Sequence, residues 1–323
     1  MTKVAPPELA WDPEMKAAFA ALRRATGGFP DKPDPSVAEM RENYIAQRLF
    51  LNGEAPAVAA VRDACMPGSA RRVGVRIFCP TSQRPAPVIV YLHGGGWVLG
   101  SIETHNRIMR LLALASGAAV VGVDYALAPE HPFPRPLAES IAVIQHVAKH
   151  GASFGLDPAR IVLAGDSAGA NLAVAAALAL AKDRPAWLKG LVSLYGVLDC
   201  NLDSESYRRF ADGAAGLSRD NMDWFWRQYV PAGIDRADPR LSPARAARAD
   251  LGRLPETLLI AAAYDVLLDD SRSFAARLAE AGVAHELAVY EGVCHGFSQY
   301  ARLVTKARDS IDQAGAFCAR VLR

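Results

Sequence analysis

The chain has 323 residues, of which 51% are hydrophobic, so it can bury a large core. Its 36 basic and 34 acidic residues give a net charge of +2 without a basic patch, which argues against nucleic acid or an acidic partner. Five cysteines without metal-ligand spacing indicate mostly free thiols in a reducing compartment and no metal site.

The N-terminal residues include no apolar segment of the kind found in signal peptides. The longest apolar run, 172–181, covers about ten residues, whereas a membrane-spanning helix needs roughly 18 or more. We therefore expect a buried helix at this run, no membrane span and a cytoplasmic protein.

Two helices are predicted ahead of the first strand. Within 11–26, Met15, Phe19 and Leu22 recur at helical spacing before a pair of glycines. A proline-rich link follows, and a second helical pattern covers about 36–50. Because both precede the sheet in the chain, they form a separable layer.

From residue 72 onward, strand patterns alternate with helical ones. A half-buried strand is predicted at 73–77, a last helix at 302–321, and apolar strands at 87–92, 119–124, 161–165, 190–195, 258–263 and 284–290. Near-continuous apolar strands between helices indicate an α/β fold, with a mostly parallel sheet covered on both faces. The predicted edge strand at 284–290 would allow pairing in a homodimer.

The segment 200–252 interrupts this alternation. It is rich in Asp and Arg, and it places four aromatic residues within six positions: Trp224, Phe225, Trp226 and Tyr229. Ordinary core packing is one interpretation. The other is a segment that covers an active site, with some of these aromatics lining a substrate pocket.

Two glycine-rich motifs follow predicted strands. Residues 165–169 read Gly-Asp-Ser-Ala-Gly between a strand and a helix pattern, which is the strand–turn–helix context of a nucleophilic serine at Ser167. Alone, this pentapeptide fits a serine N-cap equally well. Residues 93–97 read His-Gly-Gly-Gly-Trp after another strand, and their amides could approach a reacting carbonyl or simply form a flexible turn.

A base and an acid are predicted at the ends of later strands. Of the seven histidines, His295 alone follows the last strand, in a glycine-flanked loop, and Asp265 directly follows the strand at 258–263. The carboxyl ends of parallel strands are where open α/β sheets place their sites. Asp269 is less favoured, because it and Asp270 fit N-cap or surface positions of the next helix. His105 and His131 are possible pocket residues.

Together these motifs resemble the α/β-hydrolase superfamily and, within it, the hormone-sensitive-lipase-like esterases of bacterial family IV. Further blocks at 124–130, 264–269 and 295–297 occur in the order typical of that family, and the resemblance covers about residues 70–320. It implies a catalytic domain made of 70–199 and 253–323. It also implies a helical cap made of 1–50 and the inserted segment 200–252, and it suggests that Glu130 braces the nucleophile loop.

The resemblance implies a serine carboxylesterase that hydrolyses short-chain acyl esters through an acyl-enzyme, without a cofactor. Ser167 would attack the small-molecule ester, His295 would act as the base, and Asp265 would orient the imidazole. The oxyanion would be bound by the backbone N–H groups of Gly94, Gly95 and Ala168. Trp97 and Tyr195 would line the substrate pocket or belong to the core.

Two alternatives remain at this point. The same triad would serve an amidase or arylformamidase, and the scaffold also occurs in silent ligand-binding proteins, although those lack the histidine that His295 supplies here. Cys294 adjoins the predicted base. It fits a small buried filler better than a site where thiol modification inhibits the enzyme.

Overall fold

A computed structural model describes residues 9–27, 36–183 and 185–323. Within these ranges one eight-stranded sheet forms the centre, with the order β1-β2-β4-β3-β5-β6-β7-β8. The strands are β1 (Ala60–Pro67), β2 (Arg72–Cys79), β3 (Ala86–Leu92), β4 (Ala119–Asp124), β5 (Leu156–Asp166), β6 (Leu188–Leu194), β7 (Thr257–Tyr264) and β8 (His285–Cys294).

The sheet is mostly parallel, as predicted. Strands β3 to β8 pair in parallel, whereas β2 pairs in antiparallel fashion with both β1 and β4. All seven predicted strands are present, and β1 is the strand that the sequence did not reveal. Most of its side chains are exposed or partly exposed, so no apolar run marks it.

Helices cover both faces of the sheet. The described ranges contain α1 (Pro13–Thr26), α2 (Val37–Asn52), α3 (Asn106–Ser116), α4 (Arg135–His150), α5 (Ala168–Leu180), α6 (Glu205–Arg209), α7 (Arg219–Tyr229), α8 (Arg248–Leu251), α9 (Leu268–Glu280) and α10 (Thr305–Val321). One buried cluster includes residues of α4, α5, α7 and α9, and the other includes residues of α1, α3 and α10. The apolar run at 172–181 is a buried helix, as predicted.

The predicted N-terminal helices are present as α1 and α2. Asp12 caps α1 by accepting from the amides of Glu14 and Met15, and Ser36 forms a capping box with Glu39 at the start of α2. The predicted proline-rich link between them lies outside the described residues. None of the helices in the described ranges is long and apolar enough to cross a membrane.

The segment 200–252 contains α6, α7 and α8 and no strand, all of it within the described residues. Helix α7 buries Met222, Trp226 and Tyr229, which recur at the spacing of one helical face. Trp224 and Phe225 are only partly buried. This helix therefore packs by a narrow aromatic face.

Candidate active site

Ser167 occupies the sharp turn between β5 and α5. Its φ of 53° is left-handed, a backbone region that residues other than glycine rarely adopt. A Cβ on Gly165 would lie 2.5 Å from the backbone of Gly169, and one on Gly169 would lie 2.0 Å from the carbonyl oxygen of Leu92. Both glycines are therefore required by the close approach of strand and helix.

Three side chains that are far apart in the sequence meet at the carboxyl edge of the sheet. His295 Nε2 lies 2.9 Å from Ser167 Oγ, and His295 Nδ1 lies 2.7 Å from Asp265 Oδ2. The other oxygen of Asp265 accepts a hydrogen bond from the amide of Leu267 at 2.9 Å. The side chain of Asp265 is 1% exposed and that of His295 is 15% exposed, so the carboxylate is buried while solvent reaches the imidazole.

The glycine loop after β3 lies beside this turn, but one of its amides is occupied. The amide N–H of Gly94 donates a hydrogen bond of 2.9 Å to Oδ1 of Asp166, so the prediction of Gly94 as an oxyanion donor is wrong. The amides of Gly95, Gly96 and Ala168 donate no hydrogen bond within the described part of the chain. These amides could therefore bind a ligand.

Asp166 is a buried anion that holds the loop in place. It accepts from the hydroxyl of Tyr91 at 2.7 Å and lies 3.3 Å from Nε2 of His105. Burial alone would raise the pKa of Asp166. The charge and hydrogen bond of His105, together with the bonds from Tyr91 and Gly94, outweigh it and hold that pKa well below its ordinary value.

His93 and His105 are structural residues. Burial, with a smaller contribution from His105, lowers the pKa of His93 to about 3, so its imidazole is neutral at pH 7. Its ring stacks on Tyr125 with centroids 4.3 Å apart. His105 is fully buried against Asp166, so the prediction of His105 as a pocket residue is wrong. His131, the other histidine considered for the pocket, is exposed.

A family model described as alpha/beta hydrolase fold matches residues 89–299, more than half of the chain. The chain belongs to the α/β-hydrolase fold family. Two relatives described as acetyl esterases, from Salmonella choleraesuis and Salmonella schwarzengrund, are each 35% identical over 300 residues, which is 91% of this chain and 91% of each relative.

Solved structures agree with this assignment. An ester hydrolase from the metagenome of Lake Arreo matches with a TM-score of 0.89 and 34% identity, over 96% of this chain and 98% of its own. A thermostable esterase from Pseudomonas putida matches with a TM-score of 0.90 and 30% identity, over 97% and 99% of the two chains. The protein is a carboxylic ester hydrolase, and its resemblance to the hormone-sensitive-lipase-like esterases is confirmed.

Two residues of this hydrolase that were predicted as possible pocket residues lie in the core. Trp97 is 0% exposed and Tyr195 is 1% exposed, so neither presents surface to an open pocket. The ring of Tyr195 packs edge-on against the imidazole of His295, with centroids 5.2 Å apart. Tyr195 thus contacts the predicted base rather than open space.

Two acidic residues also differ from their predictions. Glu130 does not contact the nucleophile turn but forms an ion pair with Arg41 of α2, with atoms 2.7 Å apart. Asp270 is not a surface charge. It is 3% exposed and accepts from the amides of Leu198 and Asp199 at 2.8 and 3.0 Å. It therefore ties the two residues just before the inserted segment to α9.

The burial of Cys294 agrees with the interpretation that it is a small packing residue of the core. Its thiol is buried, and burial, with a further contribution from the charge of Asp265, raises its pKa above the ordinary value. Because the thiolate is the reactive form, this environment makes Cys294 a poor nucleophile.

Proposed function

We propose that this hydrolase is a serine carboxylesterase that cleaves short-chain acyl esters through an acyl-enzyme. The observation that supports it best is the hydrogen-bonded series from Ser167 through His295 to Asp265 at the carboxyl edge of the sheet. The 35% identity to relatives described as acetyl esterases supports the short acyl chain.

In the proposed reaction, Ser167 Oγ attacks the ester carbonyl while its proton passes to Nε2 of His295. Asp265 accepts the Nδ1–H, fixes the tautomer and stabilises the imidazolium. The imidazolium then gives its proton to the leaving alcohol, and an acyl-enzyme forms. A water activated by His295 releases the acid and restores Ser167.

The tetrahedral oxyanion needs donors that are already in position. We assign this role to the amides of Gly95, Gly96 and Ala168, since the amide of Gly94 is bound to Asp166. Ala168 is the first residue of α5, where the unpaired N–H groups and the helix dipole also favour negative charge.

We also propose the domain division that the family resemblance implies. The N-terminal segment 1–50 and the inserted segment 200–252 would form a cap over a catalytic domain made of 70–199 and 253–323. Two contacts support this division: Arg41 of α2 donates to the carbonyl oxygen of Val98, and α7 packs on Trp97, so both segments cover the glycine loop.

A homodimer and a cytoplasmic location complete the proposal. Strand β8 is at the sheet edge and pairs only with β7 among the described strands, so a second copy could pair with it. Light scattering should then give twice the chain mass of 34.5 kDa, and a monomer at all concentrations would contradict pairing. The five free cysteines support a reducing compartment, which cell fractionation tests.

The decisive experiment compares the wild type with Ser167→Ala on p-nitrophenyl esters of increasing chain length. We expect highest activity on the shortest chains and a loss on the order of 10⁶ in turnover for the variant. The matched control is Ser140→Ala, which removes another buried hydroxyl, on α4, and should keep full activity.

Two further readouts separate the alternatives. Anilides of the same acids should be poor substrates, and faster cleavage of anilides than esters would favour the amidase. A fluorophosphonate should label Ser167 in the wild type. Failure to label it would favour a silent ligand-binding protein.

A further inference from the structure

The glycine loop ends in a backbone conformation that is unfavourable for the large residue it carries. Trp97, at the end of this loop, has a φ of 61°, in the left-handed region that large side chains rarely adopt. A residue held in such a conformation needs support from its surroundings. Part of that support comes from the inserted segment.

Helix α7 packs two aromatic rings on Trp97. The ring of Tyr229 stacks on it almost in parallel, with centroids 4.4 Å apart and planes at 6°, and the ring of Trp226 lies 4.9 Å away. All three side chains are 0% exposed. The indole nitrogens and the hydroxyl have no hydrogen-bond partner among the described residues, so these side chains contact one another through ring packing rather than side-chain hydrogen bonds.

A third ring from the same helix lies on the loop itself. A Cβ added to Gly96 would lie 2.1 Å from Cδ1 of Phe225, so that ring rests directly against the glycine backbone. Backbone hydrogen bonds fix both partners: Trp97 O accepts from the amide of Ala128 at 2.9 Å, and Tyr229 O accepts from the amide of Phe133 at 2.8 Å. The backbones of both Trp97 and Tyr229 are therefore held by hydrogen bonds on either side of the ring contact.

We propose that Tyr229 and Trp226 are positioning residues for the oxyanion site. They act through Trp97 and hold the amides of Gly95 and Gly96 where the developing oxyanion will lie. We call these contacts the aromatic clamp: Phe225, Trp226 and Tyr229 packed on Gly96 and Trp97. The inference rests on the proposed function, because it assigns a purpose to the clamp only if these amides bind an oxyanion.

The physical reason is that donors stabilise a transition state only when they are held in place beforehand. Loss of the stack would let Trp97 leave its left-handed conformation, and the amides before it would move with it. Since loss of a whole oxyanion donor costs about 10²–10³ in turnover, loosening two of them should cost about 10–100-fold. The Michaelis constant should change little, because the substrate's ground state does not use these donors fully.

The experiment measures kcat and KM for p-nitrophenyl acetate in Tyr229→Leu and Trp226→Leu. We expect kcat to fall about 10–100-fold with KM within about threefold. Affinity for a trifluoromethyl ketone, which forms a tetrahedral oxyanion on the serine, should fall by the same factor as kcat. Tyr229→Phe keeps the ring and loses only an unpaired hydroxyl, so it should stay within about twofold of wild type.

The matched control is Phe317→Leu on α10, which removes a buried aromatic ring from the other cluster of the core. It should destabilise the fold while keeping kcat. If Tyr229→Leu does not fold, Phe225→Ala tests the same clamp, since this ring is only partly buried. An equal loss of kcat in Phe317→Leu, or a rise in KM alone at Tyr229, would overturn the clamp. Absence of fluorophosphonate labelling in the wild type would instead overturn the proposed function.

Discussion

Asp166 accepts a hydrogen bond from the amide of Gly94 at 2.9 Å and so joins the turn before Ser167 to the glycine loop. The hydroxyl of Tyr91 bonds to the same oxygen at 2.7 Å, and His105 lies against the other oxygen. Three buried groups therefore depend on one carboxylate. This carboxylate fixes Gly94, whereas α7 packs on Gly96 and Trp97 of the same loop.

We expect Asp166→Ala to be strongly destabilising, by about 3–5 kcal/mol, because it leaves three buried partners of an ion without an acceptor. Asp166→Asn retains an acceptor oxygen for Tyr91 and Gly94, so its loss should be about 1–2 kcal/mol. Urea unfolding monitored by tryptophan fluorescence measures both values. Equal losses in the two variants would contradict the proposed importance of the acceptor.

The convergence of Ser167, Asp265 and His295 could be predicted because each follows a strand pattern, and parallel strands end at the same edge. The hydrogen bond that occupies the Gly94 amide could not be predicted, since its acceptor is an aspartate 72 residues away in the chain. The burial of Asp270 was missed for a similar reason. An acidic residue early in a helix is typical of a surface position, whereas the amides that bind this carboxyl group lie 72 and 71 residues earlier in the chain.

Arg41 should stabilise the glycine loop from the N-terminal segment. Its guanidinium donates to the carbonyl oxygens of Val98 and Ala128, both at 2.9 Å, and to Glu130. We expect Arg41→Ala to lower the free energy of unfolding by about 1.5–3 kcal/mol, because hydrogen bonds from a charged donor are lost.

Glu130→Gln provides the comparison for Arg41→Ala. Its carboxylate is 53% exposed, so its ion pair should contribute no more than about 1 kcal/mol. Arg41→Lys should behave more like alanine than like arginine, since lysine cannot fork to several acceptors. Full stability in Arg41→Lys would show that the charge matters more than the geometry.

Asp270 should make stability depend on pH. Burial raises its pKa well above the ordinary value, opposed by hydrogen bonds from the amides of Asp199 and Leu198, and nearby Asp199 and Asp265 raise it further. In the unfolded chain this carboxyl ionises near pH 4, so above that pH the folded protein keeps a proton that the unfolded chain has released. Its contribution to stability therefore falls as pH rises towards the folded pKa.

Asp270→Asn lacks this proton equilibrium and keeps an oxygen for both amides. Relative to wild type, its free energy of unfolding should rise with pH from about pH 4 up to the folded pKa of Asp270, by up to about 1.4 kcal/mol per pH unit. Urea unfolding at several pH values measures the difference. Asp220→Asn changes an exposed carboxylate of α7 and is the control. Parallel pH curves for Asp270→Asn and wild type would show that Asp270 is ionised in the folded protein.

Cys294 should resist alkylation although it adjoins the proposed base. Its thiol is buried with a raised pKa, whereas Cys65 is exposed. Because only an accessible thiolate reacts with iodoacetamide, we expect peptide mass spectrometry at pH 7 to find Cys65 modified, Cys294 unmodified and activity unchanged. Cys65→Ser should remove the modification without altering activity. If activity instead declines in step with alkylation of Cys294, solvent reaches this residue during turnover, and it is a site where thiol modification inhibits the enzyme.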